Sequence, residues 1–189
     1  MRKFIEITSD DDDHGGPGWK YGTCLWSPVA GQRGAKIYEL MNEPSKDDLV
    51  INFYRERNKR YIHGQSYVDK TCYITTDNPS HSEWSWSDNF YRIDLKDFKK
   101  FKNPIPLKEF IDCFDIEIRH EYEETPLNYP FQVTYYKDPK FKKDSNVGLK
   151  NGKYLTESTS QLFNLISESK NTNSSSNKNN YLEPRRKKI

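Results

Sequence analysis

Short apolar runs separated by turn residues occupy most of the chain, and their periods switch between two and about 3.6. Residues 21–26 (Tyr-Gly-Thr-Cys-Leu-Trp) read as a strand closed by Pro28. In residues 35–42, Ile37, Leu40 and Met41 stand at helical spacing before Pro44, which predicts a short amphipathic helix. Residues 48–54 and 61–68 predict a β-hairpin across the charged turn 55–60, and residues 90–95 a further strand. Pro106 suits the first turn of a helix whose apolar side is Leu107, Phe110, Ile111 and Phe114. Residues 131–136 are strand-like, 137–150 form a lysine-rich loop, and Ser160 can cap a last helix with Leu162, Phe163, Leu165 and Ile166 on one side. No internal repeat is present. The pattern predicts an α+β domain: a curved, mostly antiparallel sheet of five or six short strands with helices packed at its rim.

Two stretches do not fit that pattern. Residues 9–18 set four aspartates (Asp10 to Asp13) beside a Gly/Pro cluster and read as a solvated loop rather than a hard-cation site, because alternating ligands are absent. From Lys170 onward the Asn/Ser-rich run has little to bury and ends in Arg185-Arg186-Lys187-Lys188, a disordered basic linker or tail. The resulting division is an N-terminal strand and acidic loop (1–18), a central domain (19–169) and the tail (170–189).

Composition narrows the function. Of 189 residues, 33% are hydrophobic, and aromatics alone make up 14%, so rings either build the core or serve a ligand. No apolar run reaches membrane-helix length and no secretory signal opens the chain, so the expected location is cytoplasmic, away from membranes. Cys24, Cys72 and Cys113 lack metal-ligand spacing and are expected to be reduced and buried, with no metal and no cofactor. The net charge is only +2, but basic residues are in excess over 51–110 and 146–189 and acidic ones elsewhere. That segregation suits a polyanion partner.

The tryptophans carry the candidate chemistry. Trp26 ends its strand, while Trp84 and Trp86 sit in a loop of Ser, Glu and Asp that has no core of its own. Indoles projecting from polar loops can sandwich a flat ligand, stacking being worth about 1–3 kcal/mol per base. The competing reading is an indole folded back to plug a barrel end. Arg55, Arg57, Lys59 and Arg60 on the hairpin tip, with Lys99, Lys100 and Lys102 after the following strand, are candidates to hold a phosphate backbone; a solvated charged surface is the alternative. Asp77, Asp94 and Lys96 loosely imitate a metal-dependent nuclease, without the usual Pro-Asp pair. His63 reads as a structural histidine that can line a pocket.

The order Gly22-Thr-Cys-Leu-Trp26-Ser27, a helix, residues 48–54, Tyr61-Ile-His-Gly64-Gln-Ser66, the Trp84/Trp86 loop, Tyr91-Arg-Ile-Asp-Leu95 and Pro104-Ile-Pro-Leu107 resembles the EVE branch of the PUA-like superfamily, relatives of YTH domains. The likeness is greatest to N-terminal specificity domains of McrB-type modification-dependent restriction systems; it covers residues 19–166 and includes Gly152-Lys-Tyr154-Leu155. The resemblance implies a PUA-like open barrel and a non-catalytic domain that flips a methylated DNA base into an aromatic cage. It implies Trp26 as one wall, Trp84 or Trp86 as the other, polar contacts from Ser27, and Asn52 and Tyr54 nearby. A downstream motor or nuclease domain or subunit is the implied partner. A charged turn replaces the YTH Ser-Gly turn after Tyr54, so RNA specificity is not implied; a reader of modified RNA and a small nuclease stand as alternatives.

Overall fold

A computed structural model describes residues 1–9, 18–79, 84, 86–125, 128–135 and 145–175. The aspartate run and the terminal Arg/Lys cluster lie outside the described residues. Strands β1 (Lys3–Ser9), β2 (Cys24–Pro28), β3 (Leu49–Glu56), β4 (Lys59–Thr75), β5 (Phe90–Pro106) and β8 (Leu155–Glu157) form one sheet in the order β2-β5-β4-β3-β1-β8. It is a curled, mixed half-barrel, in which β1 runs parallel to β3 and the other pairings are antiparallel. Strands β6 (Phe131–Tyr135) and β7 (Ser145–Leu149) make a separate hairpin. Helices α1 (Leu107–Cys113), α2 (Asp115–Glu124) and α3 (Ser160–Ser175) complete the fold.

Strand alternation sorts the sheet into two cores. Leu49, Ile51 and Phe53 of β3 join Phe110, Phe114, Ile118, Leu162 and Ile166 on the helix side. Val50 points the other way, to Phe4, Leu25, Met41, Val68 and Ile93 inside the half-barrel. Asn52 is on that same inner side and fully buried.

Several expectations are corrected. Residues 35–42 do not form an α-helix: only 3-10 turns Gln32–Gly34 and Glu39–Asn42 occur, and Ile37 is 50% exposed. Between Gly34, at a positive φ of 76°, and Pro44 the segment is too short to repay helix nucleation. Strands β4 and β5 run far beyond their expected ends, because long pairing with repeated register shifts carries polar residues that periodicity alone treats as loop. Lys99, Lys100 and Lys102 therefore lie within β5, not after it. Part of the lysine-rich loop is strand β7, which buries Val147 against the helix-side core. Helix α2 has no apolar stripe to announce it: Ile118 and Glu121 are its buried residues, Tyr122 is half-buried, and the rest is charged or exposed. Of the cysteines, all free, Cys24 is buried while Cys72 and Cys113 are half-buried. No helix among the described residues is long and apolar enough to cross a membrane.

The last helix starts on a different cap from the one expected. Thr159, not Ser160, accepts a hydrogen bond at Oγ1 from the Leu162 amide at 3.0 Å, and the same hydroxyl donates to buried Glu121 at 2.6 Å. Tyr129 Oη donates to that carboxylate at 2.9 Å. Thr159→Ala is expected to lower stability by about 1–2 kcal/mol, read as a shift in the urea midpoint with unchanged slope. The helix continues past residue 169 to Ser175.

Candidate nucleic-acid interface

Strand β2 is buried along its whole length, at the edge of the sheet and paired only with β5. Leu25 enters the inner core, whereas Cys24 and Trp26 form a third cluster with Trp19. Trp26 is 6% exposed and meets Trp19 edge-to-face, with ring centroids 6.0 Å apart. The Arg92 guanidinium lies 4.4 Å from the Trp19 ring centroid and is held by Asp94 at 2.7 Å. Tyr73 Oη donates to the same carboxylate at 3.1 Å. Trp84 is half-buried against this cluster and faces Tyr38 and Phe90 at 6.3 and 6.4 Å.

Of the three indoles singled out from sequence, Trp26 and Trp84 thus converge and Trp86 does not. Trp86 is 43% exposed and lines a separate groove with Arg33 and Ile74. The third member of the cluster is Trp19, an indole that directly follows the Gly/Pro run at residues 15–18 and was no candidate from sequence.

Behind Trp26 lies a polar chain in an otherwise apolar interior. The Trp26 amide donates to Tyr154 Oη at 3.2 Å, and Tyr154 Oη donates to Glu6 Oε1 at 2.8 Å. Asn52 Nδ2 donates to Glu6 Oε2 at 2.7 Å. Glu6, Asn52 and Ser27 are fully buried. Burial pushes the Glu6 carboxyl up to about 7, although both hydrogen bonds favour its charged form. Two buried oxygens, Ser27 Oγ and Asn52 Oδ1, have no hydrogen-bond partner among the described residues. Burying such a group without a partner costs about 1–3 kcal/mol; Ser27 alternates with Trp26 along β2, and Asn52 lies inside the half-barrel. Burial also raises the Cys24 thiol to about 12, which makes it a neutral apolar group here.

Tyr54 belongs to another ring group. It stacks on His63 at 5.2 Å and meets Tyr21 at 4.3 Å. Tyr21 Oη lies 2.9 Å from His63 Nδ1. Burial and then Lys100 lower the His63 pKa, which favours the neutral ring. Phe98 closes this group, lying across Gly64, where a Cβ would come within 2.9 Å of both its ring and the Lys99 carbonyl. Asn52 reaches Trp26 through Glu6 and Tyr154, two residues far from both in the sequence.

The basic candidates divide as well. Arg55 and Arg60 are cross-strand partners, and Arg60 donates to the Thr8 carbonyl at 3.1 Å, with its pKa lowered by burial and by Arg55. Arg57 and Lys59 are exposed at the turn. Lys99, Lys100 and Lys102 gather about a hollow with Lys170. For the nuclease alternative, Asp94 is engaged by Arg92 and Tyr73, and Lys96 by Asp47 at 2.6 Å and Asp69 at 3.7 Å. Asp77 is exposed beyond the end of β4.

No protein-family model matches the chain, and no curated protein matches it in sequence. Solved structures do. Human THYN1, in complex with DNA containing 5-methylcytosine, superposes with a TM-score of 0.51 at 12% identity, covering 90% of this chain and 98% of that one. A hypothetical protein from Leishmania major gives 0.50 at 9% identity, covering 92% and 97%. The N-terminal domain of Staphylothermus marinus McrB gives 0.47 at 11% identity, covering 88% and 93%. At these identities, what the chain shares with THYN1 is the fold.

Proposed function

We propose that this chain is a non-catalytic recognition domain for DNA carrying a methylated base, which it takes out of the duplex into a cage walled by Trp26 and Trp84. The observation that carries the reading is the convergence of Trp26, Trp84 and Trp19 in one ring cluster at the edge of the sheet. Rings reward the small apolar surface of a methyl group on a base taken out of the stack. The fold held in common with THYN1, which is bound to 5-methylcytosine DNA, supports the same reading. A role as the targeting module of a modification-dependent restriction system, with a motor or nuclease in another domain or subunit, rests on the McrB-like order of motifs in the sequence.

In this reading the Trp26 face is covered by neighbouring rings and must be uncovered for a base to stack. Trp84 is the looser of them, half-buried where Trp19 is 6% exposed and held by Arg92. Extrusion costs a few kcal/mol, which stacking and contacts from Arg55, Arg57, Lys59, Arg60, Lys99, Lys100 and Lys102 to the flanking backbone offset.

Matched duplexes with and without methylated adenine or cytosine, and the corresponding RNA, test the proposal by fluorescence anisotropy. Tighter binding of one methylated duplex is expected; equal affinity for every duplex removes the modified-base reading, and preference for RNA replaces it with a reader of modified RNA. Trp84→Ala is expected to weaken the methylated complex by about 1–3 kcal/mol while leaving the thermal midpoint nearly unchanged.

A further inference from the structure

We propose that the bulged half of β5 and helix α3 together build a seat for a single phosphate group, formed by Lys99, Lys100, Lys102 and Lys170 with the carboxamides of Gln65 and Asn103. These residues and Phe101 line a hollow of about 270 Å³. The inference deepens the nucleic-acid reading above and depends on it only for the source of the phosphate.

The register of β5 explains the convergence. Ile62 pairs with Ile105 and Gly64 with Lys100, so two steps along β4 face a much longer stretch of β5, and residues 101–104 bulge out. A bulge cancels the strict alternation of a strand and re-aims its side chains. Lys102 and Asn103 lie in this bulge and line the hollow together with Lys99, Lys100 and Gln65 of the pairs beside it.

Lys170 approaches from the other element and is fixed in place. Its Nζ donates to Gln65 Oε1 at 3.1 Å and lies 4.2 Å from the centroid of the Phe101 ring. Burial, and then Lys99, lower its pKa. Crowding ammonium groups is unfavourable without a counter-charge. Yet among the described residues no carboxylate lines the hollow, and Lys99, Lys100 and Lys102 make no ion pair. Elsewhere on the surface the protein behaves differently: Lys36, Lys96 and Lys108 each hold a carboxylate within 3.1 Å. Ammonium donors and two amide groups, with no acid, form the chemistry of an oxyanion site, and lysine is a common phosphate ligand.

The position also suits a duplex. Trp26 pairs with Arg92 on β5, and the strand rise places Lys100 at most roughly 27 Å further along. That distance is within one helical turn of B-DNA, about 34 Å. A backbone phosphate near a base held at Trp26 is thus within reach of the seat.

The test compares the salt dependence of binding to an unmodified duplex for the wild type, Lys99→Gln/Lys102→Gln, and Lys170→Met, which keeps a stem over Phe101. One shared phosphate predicts that each variant lowers the slope of log K against log salt by about 0.9, and that combining them lowers it no further. Unchanged slopes together with no binding of inorganic phosphate overturn the seat. Decreases that add when the variants are combined overturn its single-phosphate form in favour of separate contacts. Inorganic phosphate titrated without DNA, followed by NMR at the Gln65 side chain, is expected to shift that resonance in the wild type and not in Lys170→Met. Phosphate binding with unchanged DNA slopes assigns the seat to a free phosphate instead of the backbone. The ratio of methylated to unmodified affinity is expected to be the same in all variants; a ratio of one in the wild type removes the modified-base reading and leaves the seat intact.

Discussion

Trp26→Ala is expected to destabilise the fold by about 3–5 kcal/mol and to lower the thermal midpoint by on the order of 10 °C, before any ligand is added. The indole is 6% exposed, meets Trp19 edge-on, and stands on a strand buried from Cys24 to Pro28. Its loss removes a large apolar volume from a cluster whose other buried members are Trp19 and Cys24. That cost exceeds the roughly 1–3 kcal/mol that stacking on one base supplies. A binding assay on Trp26→Ala therefore reports folding first. Trp26→Phe, which keeps a ring in the cluster, separates the roles: near-normal stability with weakened discrimination of the methylated duplex is expected. A midpoint for Trp26→Ala within a degree or two of wild type would contradict the buried placement.

The second large effect concerns pH and Glu6. Its folded-state pKa, about 7, lies above the ordinary value of 4.5, so the folded protein retains a proton that the unfolded chain releases. Between these two values unfolding liberates a proton, and rising pH favours unfolding. Stability is therefore expected to be fully present below about pH 4.5 with respect to this group, and to be lost by about 3 kcal/mol as pH rises through 7. Glu6→Gln, neutral throughout, is expected to flatten that interval and to be more stable than wild type at pH 8. Denaturant midpoints measured from pH 5 to 8 check this; parallel profiles for the two proteins would overturn it.

Much of the fold is legible from local pattern. The strands around Trp26, residues 48–54 and Tyr91, the helix entered at Pro106 and the apolar side of the last helix all follow from spacing and punctuation. Pattern fails where burial is sparse or the register irregular. Helix α2 buries Ile118 and Glu121 amid charged residues, and β4 and β5 owe their length to bulged pairing. The segment around Ile37 shows the converse, helical spacing without enough residues or burial to form a helix.

The site divides along the same line. Sequence alone determined that this chain is short of aliphatic residues and rich in rings, that indoles occur in polar surroundings, and that lysines crowd the stretch after residue 98. Only the tertiary structure decided that Trp84 joins Trp26 while Trp86 does not, that Trp19 completes the cluster, and that Lys170 meets the β5 lysines. It also decided that Tyr154 reaches Glu6 across 148 positions of chain and the Trp26 amide across 128. Periodicity reports which side of its own strand or helix a residue occupies. Which distant residues meet there depends on strand order, register and bulges, and those are fixed by the packing of the whole sheet.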